Sequence, residues 1–447
     1  MVGGKPRPQI PGGPHLVVGL ARSGIAVALA LRARGEEVIG VDAGAPGGTE
    51  VLERAGVEVH VGEQGVSLLG RARSVVKSPG VPVQAPVIAA ALERGLPVLG
   101  ELELAWRMLA NEFIAVTGTN GKTTTVELVG HIHREAGLPV AVAGNVGTAA
   151  SSLVGLIGVD TTVVCEVSSF QLEDSSEFAP EAGVLLNISP DHLDRHGTFE
   201  AYLQAKLLLF ARQGNDDLAV APLGLGVEDL GGCARRVCFG AAAGADLSLR
   251  AGELWWQERP LLDASELRLR GAHNVENAMA AAAVCLARGI DEEAVRAGLR
   301  SFAGVPHRLE EVADRDGVLY VNDSKATNVA STQVALSAFI DAGPIHLILG
   351  GQGKGQDFTE LRDAVQQSCA AVYLIGEDAS KIAAALAGLR VPVEDCGELE
   401  RAVSSARRRA VAGEVIMLSP ACASFDQFSD FEARGESFRA LASGGVI

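Results

Sequence analysis

A glycine-bearing loop set between a short apolar run and a helix-like run constrains this chain most. Phe113 to Val116 lead into Gly118-Thr119-Asn120-Gly121-Lys122-Thr123-Thr124, and Thr125 to Ala136 follow with helical spacing. Strand, tight loop and helix in that order build a cradle for phosphates. Backbone N–H groups at the helix start face the anion, the lysine supplies a point charge, and the hydroxyl at Thr123 reaches a Mg²⁺ ion. The usual loop reads G-x-x-x-x-G-K-[ST]; here Gly118 stands nearer to Gly121, so the loop is shorter. A G-K-T tripeptide alone reads as an ordinary turn. Between a strand and a helix it points to nucleotide binding, with ATP as the ligand.

The length of 447 residues suits two or three domains, and 48% hydrophobic content with only 4% aromatic suits packed α/β layers. A net charge of −17 argues against a nucleic-acid partner, because phosphate backbones need a basic face. It leaves room for an anionic substrate held by a few local basic groups. The seven cysteines are scattered and form no C-x-x-C pair, which reads as reduced thiols in a cytoplasmic protein. Residues 1–14, with Pro6, Pro8, Pro11 and Pro14, lack the apolar stretch of a signal peptide and read as a loose tail. The uncharged stretch 136–159 contains Pro139, Asn145 and several glycines, so a strand, turn and helix fit it better than a membrane span. A monomer without membrane or nucleic-acid partners is the expectation.

Hydrophobic periodicity divides the chain into three α/β blocks, 1–105, 106–304 and 305–447. The first opens Rossmann-like: a strand over His15 to Val18, Gly19 to Gly24, a helix to Arg34, and a second strand from Glu37 to Val41 ending at Asp42. Ala21 occupies the second glycine position of the dinucleotide fingerprint, which disfavours NAD. A later strand, Ser74 to Lys77, runs into Ser78-Pro79-Gly80, at the carboxyl end where such sheets bind ligands. The central block carries the phosphate loop, further strands at 140–143, 162–167 and 184–188, and short strands over 218–269 that read as an antiparallel extension. His273-Asn274 then opens an alanine-rich helix. The third block repeats the strand–helix rhythm, with polar strand ends at Asn322-Asp323-Ser324-Lys325, Gly350 to Lys354 and Ser419 to Ser424. The predicted fold is α/β with three domains: Rossmann-like, central P-loop ATPase-like with a mainly parallel sheet, and Rossmann-like again.

Polar clusters at neighbouring strand ends are where an open α/β sheet builds its site. Glu166 ends a strand beside the phosphate loop and suits a carboxylate ligand to the metal at Thr123. Read alone, His192 suits a surface hydrogen-bonding group and Lys206 a solvated lysine on an amphipathic helix.

Longer strings change those odds. The phosphate loop, Glu166 to Leu172, Asn187 with Asp191 to Asp194, His273-Asn274, His307-Arg308, Asn322 to Asn328 and Ser419 to Ser424 together resemble the Mur ligase family, in order, from about Val17 to Gly435. The phosphate loop and histidine cluster alone would also suit a folylpolyglutamate synthetase, which would lack the first block. The resemblance implies an ATP-dependent ligase of peptidoglycan synthesis with two Mg²⁺ ions, joining D-glutamate to UDP-N-acetylmuramoyl-L-alanine. It places Arg22, Ser23, Asp42, Ser78, Pro79 and Gly80 on the uridine diphosphate, and Asn145, Ser168, Gln171 and His192 around the muramoyl-alanine and metals. It makes Lys206 a carbamate ligand to Mg²⁺ and puts Gly118 to Thr124, Asn274, Asn277, Arg308 and Asp323 on ATP. Lys325, Thr327, Lys354, Ser424, Phe425 and Phe431 fall on the substrate side of the third domain. A non-catalytic nucleotide switch would leave Lys206, Lys354 and Ser424 unexplained.

Overall fold

The computed structural model describes residues 5–225, 230–242, 244–269, 271–353 and 355–444, apart from the Asp194 side chain. They form two compact units, one of residues up to 267 with 273–301, the other of 268–272 with 302 onward.

The first unit holds two sheets. Strands β1 (His15–Val18), β2 (Val38–Asp42), β3 (Glu58–Val61), β4 (Ser74–Lys77) and β5 (Val98–Gly100) form one, in the order β3-β2-β1-β4-β5. Every pairing in it is parallel. Leu16 and Val18 join one hydrophobic cluster with Ile39, Val41 and Val75, while Val17 joins another with Val38 and Val76. This period-two alternation buries both faces, as a parallel sheet with crossover helices requires. The strand order reverses between β1 and β4, so Gly19 and Ser78 stand together at the switch point.

The second sheet contains β6 (Phe113–Thr117), β7 (Val140–Gly144), β8 (Thr162–Glu166), β9 (Ala182–Leu185), β10 (Leu218–Pro222), β11 (Arg235–Gly240), β12 (Leu247–Arg250), β13 (Glu253–Trp256) and β14 (Arg259–Asp263). Its order is β14-β13-β12-β11-β10-β9-β6-β8-β7. The antiparallel extension expected over 218–269 is confined to β13 and β14; β10, β11 and β12 continue the parallel sheet. The segment between Pro222 and Arg235 is long enough for a crossover, which a tight hairpin is not. The strand expected at 184–188 lies earlier, at β9. Its last residues peel away to meet the phosphate loop, where Asn187 O accepts from Thr119 N at 3.2 Å.

Residues 5–14 are not a loose tail. Lys5 Nζ lies 2.5 Å from Asp217 Oδ2, and Arg7 Nη1 donates to Glu181 Oε1 at 2.9 Å. The Arg7 guanidinium also donates to the Asn111 carbonyl at 2.6 Å and stacks 4.5 Å above the Trp106 ring. Prolines hold the strap extended and restrict the unfolded chain, while its basic groups find largely buried carboxylates.

The second unit is one sheet of β15 (Glu310–Arg315), β16 (Val318–Asn322), β17 (Ile345–Gly350), β18 (Cys369–Ile375), β19 (Val393–Gly397) and β20 (Val415–Leu418), ordered β15-β16-β20-β17-β18-β19. Only β15 is antiparallel. Leu347, Leu349 and Met417 face one cluster; Ile348, Ile416 and Leu418 face the other. The edge strands β15 and β19 carry charged residues on half-exposed faces, so their sequences lack the apolar signal of the central strands. Among the described helices, none is long and apolar enough to cross a membrane.

Arg7→Ala should remove about 2–4 kcal/mol from the first unit's unfolding free energy, because Glu181 would lose its cation while staying largely buried. Urea unfolding measures this; an unchanged midpoint would mean the strap contributes nothing.

Candidate active site

In the second sheet, the carboxyl ends of β6, β8 and β9 lie side by side: Val116 pairs with Glu166 and Thr117 with Leu185. The loops leaving them therefore converge. Gly121 has φ of +84°, and a Cβ there would lie 2.1 Å from Asn277 Oδ1, so only glycine lets the chain pass between β6 and the helix Lys122–Glu135. Asn277 Nδ2 in turn donates to Asn274 Oδ1 at 3.2 Å, and both asparagines are buried. Asn120 N donates to Asn187 Oδ1 at 3.0 Å, and Asn187 Nδ2 returns a bond to Asn120 O at 3.1 Å, pinning the loop from the far side.

Charge is concentrated here. Lys122 Nζ donates to the carbonyls of Gly118 and Thr119, both at 2.9 Å. Lys206 Nζ donates to the same Gly118 oxygen at 2.8 Å and lies 4.6 Å over the Tyr202 ring. Lys206 is 2% exposed, not solvated. Burial foremost, with Lys122 adding repulsion, pushes its ammonium down to about 7. Opposite this cation pair, Thr123 Oγ1 donates to Glu166 Oε2 at 2.7 Å, and Asn145 Nδ2 reaches Glu166 Oε1 at 3.3 Å. Thr124 is buried at the start of the same helix.

Ser168 and Gln171 form a capping box at the helix Ser169–Glu173: Gln171 N donates to Ser168 Oγ, and Ser168 N to Gln171 Oε1. His192 is exposed at φ +51°, its ring 5.0 Å from Phe170. Among the described residues no group of three His, Cys, Asp or Glu side chains is spaced for a metal. A cation here would draw on the Thr123 hydroxyl and the Glu166 carboxylate, both hard oxygen donors that suit Mg²⁺.

At the first sheet's switch point, Asp42 Oδ2 accepts from Leu20 N at 2.7 Å, and Ser78 Oγ donates to Gly19 O at 2.7 Å. Pro79 and Gly80 continue the turn after Ser78, and Ser23 lies in the first turn of the helix Arg22–Ala33. Arg22 Nη1 donates to Gly147 O at 2.8 Å, which joins this end of the sheet to the loop bearing Asn145.

In the second unit, Asp323 is buried, accepting from Ser419 Oγ at 2.8 Å and Leu309 N at 3.2 Å. Burial raises its carboxyl to about 7 against the pull of those donors, Arg308 and Arg434. Lys325 Nζ lies 5.6 Å from the Phe431 ring, and Thr327 N donates to Lys325 O at 2.8 Å. Ser424 is buried and Phe425 is 63% exposed. Lys354 lies outside the described residues.

Sequence reasoning missed Tyr202, whose hydroxyl is 3.2 Å from Thr119 Oγ1. The signal was present: Tyr202 and Lys206 are four apart on the helix Phe199–Leu207 and so share a face.

Residues 14–100 match the Mur ligase MurD-like N-terminal domain, 116–285 the Mur ligase middle domain and 307–422 the Mur ligase glutamate ligase domain. The chain is 42% identical to the UDP-N-acetylmuramoylalanine--D-glutamate ligase of Acidobacterium capsulatum, covering 97% of this chain and 96% of the relative. It is also 42% identical to the ligase of the same name from Pelotomaculum thermopropionicum, covering 95% and 96%. In fold it is similar to the UDP-N-acetylmuramate-alanine ligase MurC of Thermotoga maritima, with a TM-score of 0.60, 21% identity and coverage of 96% and 99%. The MurF ligase of Thermotoga maritima, solved with ADP, aligns at TM-score 0.57 and 17% identity over 91% and 93%. The chain belongs to the Mur ligase family.

Gly121→Ala should weaken ATP binding by at least about tenfold, since the left-handed backbone costs about 1–3 kcal/mol and the methyl displaces Asn277. Calorimetric titration with ATP reads this directly. Wild-type affinity in the folded variant would mean that this loop is not the cradle.

Proposed function

We infer that this chain is an ATP-dependent ligase that joins D-glutamate to UDP-N-acetylmuramoyl-L-alanine, releasing ADP and phosphate, in the synthesis of peptidoglycan precursors. The observation that carries this reading is the near-full-length 42% identity to relatives that bear the D-glutamate ligase name. The site's chemistry supports it. A carboxylate is a poor acyl donor because its leaving group would be oxide. Transfer of the ATP γ-phosphoryl group to that carboxylate gives an acyl phosphate, whose phosphate leaves readily when the amine of D-glutamate attacks the acyl carbon.

Phosphoryl transfer brings two anions together, so the residues around it must supply positive charge. Lys122 and the helix N-terminus behind Gly121 supply it on the phosphate side. Asn274 and Asn277 hold the adenosine side, and in the second unit Arg308 and Asp323 are the ATP contacts, with Lys325 a cation of the substrate side. The Ser78–Gly80 turn, with Arg22, Ser23 and Asp42, takes the uridine diphosphate. Asn145, Ser168, Gln171 and His192 take the muramoyl-alanine. Thr327, Lys354, Ser424, Phe425 and Phe431 take D-glutamate, whose two carboxylates need separated anchors to direct its amine. Mg²⁺ would be held at two sites by Thr123, Glu166, His192 and the carbamate of Lys206, and would supply positive charge to offset the phosphates. A cytoplasmic location follows from dependence on ATP and a nucleotide sugar.

Lys206 acts as a carbamate. Two ammonium groups on the Gly118 oxygen repel, and Lys206 is the one whose proton is already loosened by burial. Its neutral amine attacks CO₂, the N–C bond forms as one C=O electron pair moves to oxygen, and the nitrogen's surplus proton passes to water. The anion that results pairs with Lys122 instead of opposing it. Labelled bicarbonate should give a carbamyl carbon resonance that Lys206→Ala lacks, growing as pH rises through about 7 rather than 10.5. Full activity with Lys206 present only as free amine would exclude the carbamate.

The decisive assay measures phosphate release with UDP-N-acetylmuramoyl-L-alanine while varying the acceptor. D-Glutamate should support turnover, with L-glutamate and a diamino acid giving little. Equal use of L-glutamate, or release independent of any acceptor, would defeat the assignment.

A further inference from the structure

Among the described residues Arg434 is the largest of the fully buried side chains, and it was not singled out by any sequence motif. It lies in the helix Phe431–Ser443 at 1% exposure. Its Nε donates to Ser324 Oγ at 3.0 Å, and its Nη2 donates to the carbonyls of Ser324 at 2.8 Å and Cys422 at 3.1 Å. The guanidinium thus ties the loop after β16 to the loop after β20. Its Nη1 is buried without a hydrogen-bond acceptor among the described residues. A Cβ on Gly351, just after β17, would come 3.3 Å from that Nη1 and 2.2 Å from the Ala423 oxygen. Gly351 has φ of +126°, so glycine is required there on both counts. Ser324 Oγ also donates to Phe431 O at 2.7 Å, which closes the loop onto the helix that carries Arg434.

A buried cation with one corner unpaired is an expensive way to hold two loops together, since a well-packed apolar side chain would often serve as well. What an apolar side chain cannot do is set the distance between carbonyls on separate strand ends. The planar guanidinium does so in a fixed orientation, because Nε and Nη2 together grip the hydroxyl and carbonyl of Ser324 while the same Nη2 reaches Cys422 O; lysine's nitrogen, turning on a flexible stem, has no second donor to fix that angle. Burial lowers Arg434 to about 10, so it stays charged at neutral pH.

We propose that Arg434 is a positioning residue for the dicarboxylate acceptor, fixing the spacing between the Lys325–Thr327 segment and Ser424. This rests on the D-glutamate reading of those loops. The two carboxylates of the acceptor need two anchors at a set separation, and the guanidinium beneath them sets it.

Arg434→Lys keeps the charge and loses the fork. In steady-state kinetics it should raise the KM for D-glutamate by about tenfold or more, leaving the KM for ATP and for UDP-N-acetylmuramoyl-L-alanine within about twofold. The preference for D- over L-glutamate in kcat/KM should fall with it. A merely structural role would lower the melting temperature without this split. Ser324→Ala removes one acceptor of the fork and covers the case in which Arg434→Lys does not fold; it should shift the same KM in the same direction by a smaller factor. Wild-type KM for D-glutamate in either folded variant, or equal rises in all three KM values, would overturn the inference. Absence of D-glutamate-dependent phosphate release in the wild-type protein would instead overturn the functional reading beneath it.

Discussion

The Gly118 carbonyl oxygen accepts from both Lys122 and Lys206, and the proposed chemistry of the first unit depends on that shared contact. Neither lysine is free to move away. Lys122 is fixed by its place at the first turn of a helix, and Lys206 by burial against Tyr202. The helix N-terminus adds its own partial positive charge to theirs. Such a concentration is unfavourable until an anion answers it, which suits both the carbamate proposed at Lys206 and the phosphate oxygens proposed to meet Lys122. Glu166 answers part of the charge from the next strand, held in place by Thr123 and Asn145.

Parallel sheets make such convergence possible, because every strand in them delivers its loop to the same edge. In the second sheet, β6, β8 and β9 bring the phosphate loop, the Ser168 cap and Asn187 to one edge. In the second unit, β16, β17 and β20 do the same for Asp323, Gly351 and Ser424. The antiparallel strands β13 and β14 carry none of the proposed site residues; they extend the sheet away from its reactive edge. Glycine is placed where these loops graze a neighbour. Gly144, at φ +121°, would set a Cβ 2.2 Å from Glu166 O, so the end of β7 can approach β8 only without a side chain.

Legibility followed the type of interaction. Central strands such as Leu347 to Leu349 read clearly, since both their faces are apolar. The phosphate loop read clearly because strand, glycine, lysine and helix are contiguous. Edge strands β15 and β19 did not, as half-exposed faces dilute the pattern. Arg7 and Lys5 were hidden for another reason. Their partners Glu181 and Asp217 lie far along the chain, and a proline-rich tail gives no local sign of where it docks. Lys206 was legible as a residue but not as an environment: four apart from Tyr202 on a mixed helix, it looks solvated until the fold buries it.

Several side chains of the site already have structural partners, and that limits how they can meet a substrate. Gln171 Oε1 accepts from both the N–H and the hydroxyl of Ser168, so its amide nitrogen must point away from the cap. Ser168 Oγ is engaged twice, donating to Gln171 Oε1 and accepting from Gln171 N. Asp42 spends one oxygen on Leu20 N and the other on Gly44 N. These groups therefore shape loops first, and in the proposed site they would meet a substrate through the backbone they hold and through lone pairs not used by the cap. That division suits an enzyme with anionic substrates: fixed N–H groups bind phosphate and carboxylate without the entropy cost of freezing long side chains.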